Sequence, residues 1–234
     1  MASSRLSSVL KSHREEYSPV VSFDPQKDKL HRMDLTAGNK NIPANLLDDI
    51  NAFTSYINGQ LKASDARYGI GGYAEHRSVY DRSKVFDAQT PGDEPRRLHL
   101  GVDIWGKPHT PVAAPLNSIV HSYAFNNDFG DYGATIILSH LLDGITFYTL
   151  YGHLSLASIK NMREGDKINK GDLFAEFGIP AENGQWPPHL HFQVIEDLDG
   201  WKGDYPGVCK FSQKETWLAN CPDPDLVLQL NQYL

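Results

Sequence analysis

Pro188-His189-Leu190-His191-Phe192-Gln193-Val194 alternates polar and apolar residues from end to end. Leu190, Phe192 and Val194 fall on one face, and His189, His191 and Gln193 on the other. That period of two is the mark of a half-buried β-strand. Two imidazoles at i and i+2 on a strand point the same way, about 6.6 Å apart at roughly 3.3 Å per residue. They can address one metal ion or one substrate atom. Taken alone, a His-x-His serves equally well as two surface histidines on an edge strand.

The chain around this stretch has the same texture. Leu98, Leu100, Val102 and Ile104 alternate with His99, Gly101, Asp103 and Trp105. Short apolar runs follow at Val112–Pro115, Ser118–Val120, Ala134–Leu138, Ile145–Tyr151 and Leu173–Phe177, with turn residues between them. Asp143-Gly144 is a strong two-residue hairpin signal, and Ser155 caps a short helix predicted to run to Met162. Brief strands at this spacing predict an all-β core of antiparallel sheets over residues 91–200. Residues 1–90 read as an N-terminal helical and extended arm that could serve as a lid or flank a groove. Within it, residues 1–40, with Val20-Val21-Ser22-Phe23, read as extended. Leu46, Ile50, Phe53, Ile57 and Leu61 form a helix stripe that starts near Pro43 and Asn45. Arg67–Tyr73, rich in glycine and aromatics, reads as a loop. Residues 201–234 read as a C-terminal extension packing on the core.

Composition narrows the function classes. With 40% hydrophobic and 22% charged residues the chain can bury a core and is not disordered by composition. A net charge of -7 and a pI near 5.8 argue against a nucleic-acid partner. No apolar run is long enough to span a membrane. Met1–Tyr17 lacks the apolar core of a signal peptide, so the chain reads as cytoplasmic as written. A secreted or periplasmic chain whose leader had been removed would read the same way. Cys209 and Cys221 could form one disulfide or be two free thiols.

Three pieces of chain carry the chemistry. His99 and Asp103 share the polar side of their strand but would lie about 13 Å apart if it were straight. To meet at one ion the segment must bend, and Gly101 supplies the freedom. His99, Asp103 and His191 then make two imidazoles and a carboxylate, a zinc-like set with one position open to water. His153 ends the strand Ile145–Tyr151, and His189 shares a face with His191. Two imidazoles beside an activated water suit hydrolysis, one for the proton and one for the developing charge.

His99-x-x-x-Asp103, Tyr151-Gly152-His153-Leu154 and His189-Leu190-His191 occur in the order found in lysostaphin-type, or LytM-like, zinc metallopeptidases. The resemblance covers roughly Arg97 to Val194 and includes Val112-Ala113-Ala114-Pro115. It implies peptidoglycan cross-bridge or Gly-Gly endopeptidase activity on a peptide or peptidoglycan fragment. It also implies Zn2+ held by His99, Asp103 and His191, with His153 and His189 as the catalytic pair. The fold it implies is an antiparallel sheet folded over a groove. Two departures stand out: Ser118 where the family usually has Gly, and Gln185-Trp186-Pro187-Pro188 where small residues ending in Gly-Pro are usual. His13, His31, His76, His109, His121 and His140 read as structural or surface residues. Two other readings compete. One is a groove-binding module with the same metal site and no turnover. The other is a His-phosphocarrier of the sugar phosphotransferase type, which Asp103 and the third imidazole fit less well.

Overall fold

A computed structural model describes residues 5–43, 46, 49–88 and 90–234. Among the described residues, twelve strands carry the fold. In chain order they are β1 (Leu30–Met33), β2 (Tyr68–Gly71), β3 (Leu98–His99), β4 (Val102–Trp105), β5 (Pro111–Ala113) and β6 (Ser118–Asn126). After them come β7 (Gly133–Leu142), β8 (Ile145–Leu154), β9 (Lys167–Ile168), β10 (Leu173–Glu176), β11 (His189–Ile195) and β12 (Val208–Cys209). Eight form one sheet in the order β1-β2-β4-β11-β8-β7-β6-β9, and β10-β5 and β12-β3 form two small ribbons. Every pairing is antiparallel except β1 with β2.

The register of β11 positions the site. His191 lies opposite Asp103 of β4 on one side and Gly152 of β8 on the other. His189 lies opposite Trp105. Residues directly opposite in an antiparallel pair share a face, so Asp103 and His191 point the same way from neighbouring strands. β11 is buried along its whole length rather than half-buried, because the polar face of the alternation is itself roofed over.

Asp143-Gly144 makes the expected hairpin between β7 and β8, both residues with positive φ (49° and 74°), as a type I′ turn requires. Ser155 caps a helix as expected, but that helix stops at Ile159. The long helix runs Ile50–Ala63, starting later than its apolar stripe suggested, because the Asp49 side chain accepts from the Asn51 N–H and sets the boundary. Asn45 lies outside the described residues. Phe53, Ile57 and Leu61 still form the buried stripe, and the Phe53 ring packs 6.0 Å from Trp105 and 6.2 Å from Trp186.

Two N-terminal expectations are corrected. Residues 5–12 of the arm are a helix, whose Leu6 and Leu10 are fully buried. Arg67–Tyr73 is not a loop: Tyr68–Gly71 is β2, hydrogen-bonded on both sides. Its glycines are there for space. A Cβ on Gly69 would come within 2.6 Å of Met33, and one on Gly71 within 2.8 Å of the Arg77 guanidinium. Cys209 and Cys221 are both free thiols, buried, and burial pushes each up to about 12.

His140 stacks on Phe147 and bonds Thr149 Oγ1 at 2.7 Å, deep in β7. Burial lowers its pKa to about 4, against about 6.5 when unfolded. The unfolded chain therefore binds the extra proton between those values. The stability is intact above about pH 6.5 and is lost as pH falls toward 4. From pH 7 to 4 the loss at this one residue is about 3 kcal/mol. Urea unfolding of wild type and His140→Phe at pH 7 and pH 4 checks it: the variant should close the gap at acid pH. A gap that does not change with pH rejects the assignment.

Candidate active site

His99 ends β3 and Asp103 lies in β4, with the chain bending between the two sheets at Leu100-Gly101. The expected bend is present, although Gly101 does not use a positive φ. Glycine is needed there because a Cβ would sit 2.6 Å from the His191 ring and 2.8 Å from the Phe192 carbonyl. The bend brings His99 Nε2 to 3.2 Å from Asp103 Oδ1. His191 Nδ1 is 3.2 Å from the same oxygen and 3.0 Å from His99 Nε2. Among the described residues this is the one such grouping of possible ligands.

The outer hydrogen bonds fix which nitrogens carry protons. His99 Nδ1–H donates to the Gly72 carbonyl at 3.0 Å, which leaves a lone pair on Nε2. Gln193 Nε2 donates to the Pro206 carbonyl and the Cys221 thiol, so its Oε1 accepts from His191 Nε2–H at 3.0 Å. His191 Nδ1 is therefore bare as well. Burial pushes the Asp103 carboxyl up, but His99 and Arg77 beside it hold it well below the usual carboxylate range. Three lone-pair donors thus face one another at 3.0–3.2 Å. Donors about 2.1 Å from an ion in tetrahedral geometry lie about 3.4 Å apart, so the residues present fit a divalent cation.

The other two imidazoles lie alongside. His153 Nδ1–H donates to the Asn183 carbonyl and His189 Nδ1–H to the Pro187 carbonyl, both at 2.8 Å. Each Nε2 is left with a lone pair, and the two rings stand 4.1 Å apart. Burial lowers His189 to about 4 and His153 well below its ordinary value. Strand parity alone would put His153 opposite Leu190, on the apolar face. A left-handed backbone, φ 62°, instead turns its ring toward His189. At Gly152 a Cβ would be 2.4 Å from Tyr132, whose hydroxyl reaches 3.4 Å from His191 Nε2. Trp105 stacks on His189 at 3.9 Å, and Trp186 meets His153 edge-on. The bulky Gln185–Pro188 segment is thus a wall of the site.

The remaining histidines lie elsewhere: His109 is exposed beside Glu176, and His76 packs against Phe211.

Residues 97–203 match the model of peptidase family M23. The chain carries a peptidase family M23 domain. It is a metallopeptidase, a hydrolase. No curated protein matches the chain. Among solved structures, the catalytic domain of the antimicrobial peptidase lysostaphin from Staphylococcus simulans is 20% identical with a TM-score of 0.40. That match covers 70% of this chain and 96% of that one. The catalytic domain of a mutant of the prophage-encoded M23 protein EnpA from Enterococcus faecalis is 19% identical, TM-score 0.36, over 51% of this chain and 86% of that one. A zinc containing peptidase from Vibrio cholerae is 22% identical, TM-score 0.34, over 47% of this chain and 30% of that one. This chain therefore spans under a third of the Vibrio protein's length.

The M23 domain holds His99, Asp103, His153, His189 and His191, but not everything that supports them. Arg77, outside residues 97–203, is 1% exposed and donates from Nη1 to Asp103 Oδ2 at 2.5 Å and from Nε to Glu75 at 2.7 Å. No motif marks it in the sequence. Gln193 did carry a signal, the polar position two residues after His191.

Arg77 is the counter-charge of Asp103 when no ion is bound. Arg77→Met leaves a buried carboxylate uncompensated, which costs roughly 3–5 kcal/mol. Loss of an outer-shell partner weakens metal binding about 10–100-fold, or about 1.4–2.8 kcal/mol. The charge effect is the larger. The variant should therefore be much less stable than wild type without metal and gain more stability than wild type on adding zinc. Urea unfolding with and without zinc measures both. An equal or smaller gain would mean that Arg77 acts by orientation instead.

Proposed function

We propose that the M23 domain is a zinc-dependent peptidase that hydrolyses peptide bonds in short Gly- or Ala-containing, or peptidoglycan-type, peptides. His99, Asp103 and His191 hold the ion, and His153 and His189 move the proton. The observation that carries this reading is the meeting of three bare donor atoms beside two imidazoles whose Nε2 atoms are free. Zinc bound there supplies Lewis acidity toward a water and the scissile carbonyl. Burial keeps His153 and His189 neutral at pH 7, the form that accepts a proton. The pair takes a proton from the attacking water and returns it to the leaving nitrogen, a contribution of about 10²–10⁴ in rate. The Asn183 and Pro187 carbonyls hold the rings in that tautomer. The test is hydrolysis of glycine and alanine oligopeptides by chelator-stripped protein before and after zinc is restored. Zinc-dependent turnover is expected, and turnover that chelation does not alter would sink the proposal.

A further inference from the structure

The Gln185–Pro188 segment, bulky where small residues are usual, brings an indole to the active site. Trp186 is 4% exposed and lines the same cavity as Asp103, His153, His189 and His191. Its ring meets the His153 and His189 rings edge-on, at 6.1 and 6.3 Å. The backbone that carries it is clamped. Asn183 Nδ2 donates to the Trp186 carbonyl, and Asn183 Oδ1 accepts from the Trp186 backbone N–H, both at 3.0 Å. The main-chain carbonyls of Asn183 and Pro187 on either side are the ones that hold His153 and His189. The Arg82 guanidinium lies 4.7 Å over the indole ring. Trp186 is therefore placed by the same short segment that places the two imidazoles.

Its indole N–H is buried and has no hydrogen-bond partner in the protein. Buried donors are nearly always paired, and one left bare is costly unless water or a ligand supplies the acceptor. Trp105 also lines the cavity with a bare indole N–H, but that one lies against the sheet: a Cβ on Gly71 in β2 would be 3.2 Å from it. Around Trp186 the rings of Phe53, Tyr80, His153 and His189 supply no acceptor to its N–H. The cavity is where an acceptor can reach it.

We propose that Trp186 is a substrate-binding residue whose indole N–H donates to a main-chain carbonyl oxygen of the peptide, next to the bond being cut. The proposal rests on the hydrolase reading above and concerns how the substrate is held, not the chemical step. In a run of glycines or alanines the main-chain carbonyls are the hydrogen-bond acceptors on offer, because those side chains carry none. A carbonyl beside the scissile bond stays a carbonyl from bound substrate to transition state. The hydrogen bond therefore stabilises both states equally and belongs to KM instead of kcat.

The test replaces Trp186 with benzothienylalanine, which carries sulfur in place of the N–H on a ring of nearly the same shape. Zinc-loaded full-length wild type and variant are assayed on acetylated pentaglycine and pentaalanine amides. The variant should keep one equivalent of zinc and resist urea as well as wild type or better, since a bare buried donor is gone. Its KM should rise about tenfold with kcat nearly unchanged, the scale of one lost hydrogen bond. Trp186→Phe also removes the N–H and should raise KM at least as much, with some loss of urea resistance from the smaller ring. KM within twofold of wild type in both variants overturns the proposal. So does a loss confined to kcat, which would mean that the ring acts through His153 and His189. Zinc-loaded wild type that cuts neither peptide overturns the hydrolase reading, and this proposal with it.

Discussion

Asp103→Ala is expected to abolish zinc uptake and to destabilise the protein by about 3–5 kcal/mol even in the absence of metal. Two effects coincide at this carboxylate. Its Oδ1 lies 3.2 Å from both His99 Nε2 and His191 Nδ1 and completes the ligand set, and its Oδ2 accepts from Arg77. Removing it leaves a guanidinium that is 1% exposed with only Glu75 as an acidic partner, and breaking a buried pair by deleting one member is the costly case. The double variant Arg77→Met with Asp103→Ala removes the stranded charge and should recover much of the stability without recovering the metal. Zinc stoichiometry and urea unfolding of the three variants decide the matter. Asp103→Ala within about 1 kcal/mol of wild type would contradict the description of this pair as buried and coupled.

His189→Ala and His153→Ala should behave in the opposite way. Neither ring belongs to the triangle of donor atoms, so zinc should still bind at one equivalent while turnover of a small glycine peptide falls about 10²–10⁴-fold. Both side chains are hydrogen-bonded to backbone carbonyls only, so folding should survive, with a modest loss from the Trp105 stack in His189→Ala. If zinc leaves together with activity, the rings are ligands. If wild type and variants turn over equally little, the domain is a binding module.

Alternation was enough to find β4 and β11, because each has a strictly apolar side that must face the core, and the Asp143-Gly144 turn signal marked where β8 begins. Alternation also placed His189 and His191 on one face, and the register then set Asp103 against His191. Parity failed at His153. The residues Thr149 and Tyr151 pair with Val194 and Phe192, on the face away from the site, and only a backbone break at His153 itself turns the ring. A pattern of period two cannot encode such a break. Arg67–Tyr73 misled for a related reason: glycine usually signals freedom, but here it signals crowding, and the crowding neighbours Met33 and Arg77 are distant in sequence. Arg77 had no signal because a lone arginine gains its meaning from burial, which arises only when the chain upstream of the M23 domain folds onto it. The first helix was missed because residues 5–12 pack on the C-terminal helix Asp225–Leu228, a contact between the two ends of the chain.

β2 is hydrogen-bonded along the outer edge of β4, the strand that holds Asp103. The stretch that matches peptidase family M23 is consequently not a portable unit. Cut out at residues 97–203, it would present the open edge of β4 to solvent, a template for pairing with other chains. It would also lose the Gly72 carbonyl that orients His99. Anyone transplanting this site into another scaffold must carry β1, β2, Gly72 and Arg77 along with it, since they cover the edge of β4 and hold His99 and Asp103 in place.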